Sequence, residues 1–264
     1  MKATRIIDAH VHIFPPKIAN KATESIGNYY GIPMFANGTV EDLISNGEKI
    51  NVYKYIVHST ATKVEQVESI NNFIADTQSK NESFIGFGTL HPGLDDVEFE
   101  VNRIISLGLK GIKLHPDFQD FNIDDTCMMP IYRAIEGKLP VLIHMGDEKK
   151  TSSSPERLAN VIKLFPNLTV IAAHLGGYQM WDDSIKYLVG KNIYLDTSST
   201  LAILDKEKVT NIIRGHGVEK ILFGTDYPMW SHEEELERFY KLDLTDDERE
   251  LILWKNASKL LDIK

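Results

Sequence analysis

Two histidines stand two residues apart in the segment IDAHVHIF, residues 7–14. On an extended strand such residues point to the same face, so His10 and His12 present both imidazoles to one side. Other polar side chains follow further apolar runs, namely His58, His91, His115, His144, His174 and Asp226. Converging imidazole and carboxylate groups are the ligands that Zn²⁺ and other divalent first-row metals prefer. The spacing therefore predicts a metal site.

Eight short apolar runs are candidates for the strands that position these side chains. They read RIIDAHVHI, KYIVHST, FIGFGTL, LKGIKLH, LPVLIHM, TVIAAHL, NIYLDTS and KILFGTD. Continuous hydrophobicity is typical of strands buried on both faces of a parallel sheet, and amphipathic helical patterns lie between the runs. From the third run onward, strands begin about every 30 residues, the size of a βαβ unit. The pattern favours a (β/α)8 TIM barrel over a doubly wound open sheet.

A closed barrel brings its first and eighth strands together, so Asp226 is expected to face His10 and His12. Asp8 precedes this pair, and we expect it either to hydrogen-bond a ligand imidazole or to support the strand base. His216 and His232 lie in polar sequence beside helices and are expected at the surface.

Length, composition and charge limit the domain number and the classes of binding partner. The chain of 264 residues is expected to form one domain, residues 1–264, and its net charge of −9 disfavours nucleic acid and anionic membranes. No apolar run approaches the length of a membrane span, and a single cysteine excludes an intrachain disulfide. We expect a cytoplasmic protein with a small-molecule substrate, and the sequence leaves a homodimer open.

Six motifs extend the pattern along nearly the whole chain: IDAHVHIFP, GIKLHP (111–116), PVLIHMG (140–146), AAHLGG (172–177), ILFGTDYP (221–228) and NASKLL (256–261). Together they resemble the amidohydrolase superfamily, and within it the amidohydrolase 2 branch of barrel hydrolases and decarboxylases. The resemblance implies that His10, His12, His144 and Asp226 bind one divalent metal, expected to be Zn²⁺. It makes His174 a contact of the substrate or of metal-bound water, or a ligand of a second metal.

The resemblance implies a metal-dependent hydrolase that cleaves the C–N or C–O bond of an amide, lactone or ester with a metal-activated water. Asp226 would be the general base and acid, and His174 would stabilise the oxyanion. The alternative is a non-oxidative decarboxylase, a carbon–carbon lyase, of a small carboxylic acid. The hydrolase-like DAHVH start and the lack of an arginine after any predicted strand favour hydrolysis.

Two further classes use a similar scaffold. A nuclease of the TatD type shares the H-x-H start but carries a glutamate ligand around strands three and four, where this chain has GFGTLHPG and GIKLHP. A metal-binding barrel without catalytic activity is the other.

Lys113 is the hardest residue to explain, because a lysine inside a barrel is costly unless its charge is paired or removed. Ureases of the same superfamily show a similar Lys-x-His stretch on this strand. That likeness implies a carboxylated Lys113 that bridges two metals, with His174 as a ligand of the second. The alternative is an unmodified Lys113 paired with Asp226 or Asp196 beside a single metal.

Several other side chains are candidates for substrate contacts. They are His115, His91, His58, Tyr178 and Trp230. The connection at residues 13–38 is the longest in the chain, and we expect it either to cover the site or to pack its aromatic residues over the barrel mouth.

Overall fold

The computed structural model describes residues 5–263 of the chain. All eight predicted strands are present, and they form one sheet in the sequential order β1 to β8. Their bounds are β1 (Ile6–His12), β2 (Val52–His58), β3 (Phe84–Thr89), β4 (Gly111–Leu114), β5 (Val141–Ile143), β6 (Val170–Ala172), β7 (Tyr194–Asp196) and β8 (Ile221–Leu222). A doubly wound sheet would reverse its strand order. The sequential order with intervening helices confirms the (β/α)8 TIM barrel.

Helices fill the connections between the strands and continue the chain after β8. They are α1 (Pro16–Tyr30), α2 (Val40–Glu48), α3 (Val67–Lys80), α4 (Val97–Ser106), α5 (Pro116–Gln119), α6 (Met129–Ile135), α7 (Pro155–Leu164), α8 (Trp181–Tyr187), α9 (Lys206–His216), α10 (His232–Tyr240), α11 (Asp246–Glu250) and α12 (Asn256–Leu261), with a π-helical segment at Leu251–Lys255. None of these described helices has the length and apolar character needed to cross a membrane.

Contacts divide the described chain into two compact units. One contains the residues up to Val57 together with those from Thr197 onward, and the other runs from His58 to Asp196. The prediction of one domain over residues 1–264 stays a prediction.

The second unit contains strands β3 to β7, which pair in parallel. On β4, Lys113 lies opposite Thr89 of β3 and Leu142 of β5. Every residue of β3, β4, β5 and β6 is buried, which explains why these segments are apolar throughout.

In the first unit, main-chain hydrogen bonds join β1 to the segment that follows β8. The Ala9 amide donates to Phe223 at 2.8 Å, and the His12 amide donates to Tyr227 at 2.7 Å. The Asn256 side-chain amide donates to the carbonyls of Val218 and Ile221, at 2.8 and 2.7 Å. These last two bonds account for the asparagine of the NASKLL motif, which fixes the start of β8.

The connection at residues 13–38 differs from its prediction as a loop, because it contains the fifteen-residue helix α1. A proline in the first turn and a left-handed glycine at the end favour this helix. The segment beyond it is fixed by the amides of Phe35 and Ala36, which donate to the carbonyls of Met229 and Pro228 at 3.3 and 3.1 Å.

We predict that Gly111→Ala destabilises the protein by about 1–3 kcal/mol, because it overpacks a buried strand. A β-carbon at Gly111 would lie 2.5 Å from ring atoms of Phe87, which is itself fully buried. Urea unfolding measures the change. The double variant Gly111→Ala/Phe87→Leu should regain part of the lost stability if the ring contact is the cause, and strictly additive losses would contradict this explanation.

Candidate active site

Three predicted ligands meet at the end of β1 and the segment after β8. His10 Nε2 and His12 Nε2 are 3.3 Å apart, and each lies 3.3 Å from Asp226 Oδ1. The centre of such a triangle is about 1.9 Å from each corner, so a point slightly out of its plane meets the 2.0–2.2 Å typical of zinc–ligand bonds. The donor set therefore fits a divalent metal ion.

The backbone around Asp226 is shaped to bring its carboxylate to β1. Asp226 adopts a left-handed conformation with φ of 64°, which costs about 1–3 kcal/mol for a residue other than glycine. Its amide donates to the His10 carbonyl at 3.0 Å. A β-carbon at Gly224 would lie 2.9 Å from the His10 β-carbon, so the glycine of the FGTD motif permits this close approach.

Asp8 supports this arrangement through the main chain. Its Oδ1 accepts from the amides of His10 and Thr225, at 3.1 and 3.0 Å, and its Oδ2 accepts from the Thr225 hydroxyl at 2.6 Å. The buried carboxylate thus connects the ligand segment of β1 to the residue immediately before Asp226. Of the two roles predicted for Asp8, these contacts favour structural support.

The predicted surface position of His232 is wrong, and so is that of His216, since both are buried. His232 begins α10, and its Nε2 lies 3.1 Å from Asp8 Oδ2, while the rings of Tyr55 and Tyr227 lie beside it. The polar run SHEEE concealed this position, because its charged residues suggested solvent exposure, whereas only Glu233 and Glu234 are exposed.

Two consecutive serines contact the ligands, and the sequence analysis missed both. Ser198 Oγ lies 2.9 Å from His10 Nδ1, and Ser199 donates a short hydrogen bond to Asp226 Oδ2. The indole of Trp230 donates to Ser199 Oγ at 2.9 Å. The signal available in the sequence was their place directly after β7, in the polar run DTSST.

In the second unit, His144 and His174 form a pair. His174 Nε2 lies 2.9 Å from His144 Nδ1, and His144 Nε2 lies 3.0 Å from the Gly146 carbonyl. The ring of Tyr178 packs edge-on against His174, with centroids 5.9 Å apart. His174 has a left-handed φ of 61°, and its amide donates to Asp196 at 3.1 Å. The shared metal predicted for His144 and the three ligands of the first unit stays a prediction.

His115 lies in a stack of parallel rings. Its ring is 3.9 Å from those of both His144 and Phe118, with interplanar angles of 8° and 6°. Asp117 is close by, with Oδ2 3.8 Å from His144 Nε2, and its burial raises its pKa. Two stacked imidazoles cannot both direct an in-plane nitrogen lone pair at one ion, so this group does not have the geometry of a metal site.

The remaining predicted residues occupy different environments. Lys113 and His58 are fully buried, as expected of strand residues, and the roles of Lys113 as a metal bridge and of His58 as a substrate contact stay predictions. His91 is only half-buried, and its Nδ1 accepts from the Gly93 amide at 3.1 Å, which stabilises the HPG turn. Desolvation lowers the His91 pKa.

The amidohydrolase family model, Amidohydro_2, matches residues 7–263. The chain belongs to this amidohydrolase family. A 2-amino-3-carboxymuconate-6-semialdehyde decarboxylase of Dictyostelium discoideum is 25% identical over 210 residues, or 62% of this chain and 57% of that protein. The decarboxylase orsB of Emericella nidulans is 27% identical over 127 residues, or 40% of this chain and 38% of that protein. The chain thus aligns with less than two thirds of either relative.

Solved structures share the fold of this amidohydrolase chain. A dihydroxybenzoic acid decarboxylase from a Polaromonas species, with bound manganese and the inhibitor 2-nitroresorcinol, superposes with a TM-score of 0.76. It is 17% identical and covers 98% of this chain and 97% of its own. At this identity the similarity supports the barrel architecture.

These relatives overturn the prediction of a metal-dependent hydrolase, because the curated proteins that the chain matches are decarboxylases. The ligand set does not distinguish hydrolysis from decarboxylation, since a metal ion polarises a bound oxygen in either reaction. The arginine argument also failed, because a metal cation can itself bind a substrate carboxylate, which is a common metal ligand.

We predict that Thr225→Val destabilises the protein by about 1–3 kcal/mol, because it leaves the buried Asp8 carboxylate without one hydrogen-bond donor. Denaturant unfolding of the metal-free protein measures the change. Thr210→Val is the matched control, since it removes a hydroxyl bonded only to a carbonyl within its own helix. Equal effects of the two substitutions would contradict a special role for the Asp8 contact.

A second prediction concerns the pH dependence of stability. Glu235 on α10 is fully buried, and desolvation raises its pKa from 4.5 to about 8, against the opposing effect of Arg238, with Asp226 and Asp8 adding to the rise. The folded state therefore favours the protonated acid. The contribution of Glu235 to the free energy of unfolding is therefore fully present below pH 4.5. It is lost as the pH rises through about 8.

Glu235→Gln keeps the neutral shape and removes this titration. Relative to the variant, the parent should lose up to about 1.4 kcal/mol of unfolding free energy per pH unit between these two pKa values. Urea unfolding at several pH values measures the difference, and Glu234→Gln is the control, because Glu234 is exposed and contacts the same Arg238. A difference that stays constant from about pH 5 to pH 8 would contradict the raised pKa.

Proposed function

We propose that the protein is a metal-dependent decarboxylase of a small carboxylic acid, a carbon–carbon lyase. The observation that carries the proposal is the triangle of His10, His12 and Asp226 ligand atoms, 3.3 Å on each side, in a chain whose curated relatives are decarboxylases. The substrate is expected to be a small molecule, and a homodimer stays a prediction.

When bound, the ion supplies positive charge that holds the oxygens of the substrate and stabilises the electron pair left when CO₂ departs. His10, His12 and Asp226 would hold it. In the reaction, the bond between the carboxylate carbon and a carbon of the substrate skeleton breaks, and the carboxylate leaves as CO₂. The electron pair stays on the skeleton carbon, which then takes up a proton.

His174 is our candidate for the group that delivers this proton. Its Nε2 lies 2.9 Å from His144 Nδ1, so a proton held on this pair can pass between two ring nitrogens. Tyr178 packs against His174 and limits the orientation of its ring. The predicted role of Asp226 as a general base and acid stays a prediction.

For the ion itself we propose Zn²⁺, since two imidazole nitrogens and a carboxylate oxygen form a donor set that zinc commonly takes. The manganese in the Polaromonas decarboxylase makes Mn²⁺ the alternative result of metal analysis.

Decarboxylation is tested by CO₂ release from a panel of carboxylic acids that includes dihydroxybenzoates and aminocarboxymuconate semialdehyde. Chelation of the metal should reduce the rate to background, and added Zn²⁺ or Mn²⁺ should restore it. His12→Ala and Asp226→Ala should lose both metal and activity, because each removes one corner of the ligand triangle.

His216→Gln is the matched control, since it replaces a buried histidine on α9. A chelated protein that keeps its full rate, or a protein that hydrolyses esters and amides but releases no CO₂ from the panel, would overturn the proposal.

A further inference from the structure

The hydrogen bonds that end on Asp226 have a direction fixed by chemistry. An indole N–H can only donate, so Ser199 Oγ is the acceptor in its 2.9 Å bond with Trp230. The single hydroxyl hydrogen of Ser199 is then directed at Asp226 Oδ2, its short contact on the other side. Trp230 therefore orients Ser199, and Ser199 in turn acts as a donor to Asp226.

This donor separates the two oxygens of the Asp226 carboxylate. Oδ2 accepts from Ser199, while Oδ1 is the atom that lies 3.3 Å from both His10 Nε2 and His12 Nε2. Rotation of the carboxylate to present both oxygens to one ion would move Oδ2 away from the hydroxyl and break this bond.

The backbone around Ser199 supports the same arrangement. Ser199 has a left-handed φ of 49°, and a turn closed by the bond from the Thr200 amide to the Thr197 carbonyl encloses it. As a result, Ser198 and Ser199 direct their hydroxyls to different ligands, to His10 and Asp226 respectively. Ser199 is also fully buried, so water does not compete strongly for its hydrogen.

We propose that Ser199, oriented by Trp230, is a positioning residue that makes Asp226 a metal ligand through Oδ1 alone. Trp230 thereby acts on the metal site through its N–H, a role different from the substrate contact expected from the sequence. The inference rests on the metal site of the proposed function and is independent of which reaction that site performs.

The test measures metal binding, by competition with a chromophoric chelator, together with the visible spectrum of the Co²⁺-loaded protein. Ser199→Ala should weaken Zn²⁺ binding by about ten- to a hundredfold, the usual effect of removing a hydrogen bond to a metal ligand. It should also change the Co²⁺ bands, because the carboxylate is free to bind through two oxygens. Thr23→Val, which removes a buried hydroxyl within α1, should leave both readouts unchanged.

Trp230→Phe keeps the aromatic ring and removes the donor, so it should weaken binding in the same direction. Because Trp230 acts through Ser199, the double variant should bind no more weakly than Ser199→Ala alone. Unchanged affinity and an unchanged Co²⁺ spectrum in Ser199→Ala would overturn the inference, as would full additivity of the two substitutions.

A parent protein that binds Zn²⁺ but releases no CO₂ would overturn only the proposed reaction. A parent that binds no divalent metal would overturn both proposals.

Discussion

The buried carboxylate of Asp8 is the constraint on which the ligand cluster depends. A buried carboxylate requires several hydrogen-bond donors, and here they are the His10 amide and the amide and hydroxyl of Thr225. These bonds to one acid therefore fix the end of β1 and the residue before Asp226. The spacing of the proposed metal ligands depends on these hydrogen bonds.

The ligands themselves occupy positions that a buried strand would otherwise exclude. The side chains of β1 are buried apart from that of His12, which is partly exposed. The two imidazoles are stable there because both contact Asp226 and His10 also contacts Ser198. The left-handed conformations of Ser199 and Asp226 are local costs that the surrounding hydrogen bonds offset. Strained backbone conformations and buried polar side chains thus occur together at the proposed metal site, as is common at functional sites.

Much of the fold was predictable because burial on both faces leaves a continuous apolar run in each strand. Eight such runs can be recognised in the sequence. His10, His12 and Asp226 could be predicted for the same reason, since they interrupt or follow those runs. His232 could not, because its burial depends on a contact with Asp8 far away in sequence. The reaction was mispredicted because one ligand set serves both hydrolysis and decarboxylation.

The bonds between Asp8 and Thr225 join residues 217 positions apart. During synthesis on a ribosome, β1 is therefore made well before Thr225, and its contacts are completed only when this later segment has emerged. Closing so long a loop costs entropy that only the finished contacts recover. An ion held at this junction binds the folded chain and not the nascent one, so metal supply would also set how firmly the two distant segments stay joined.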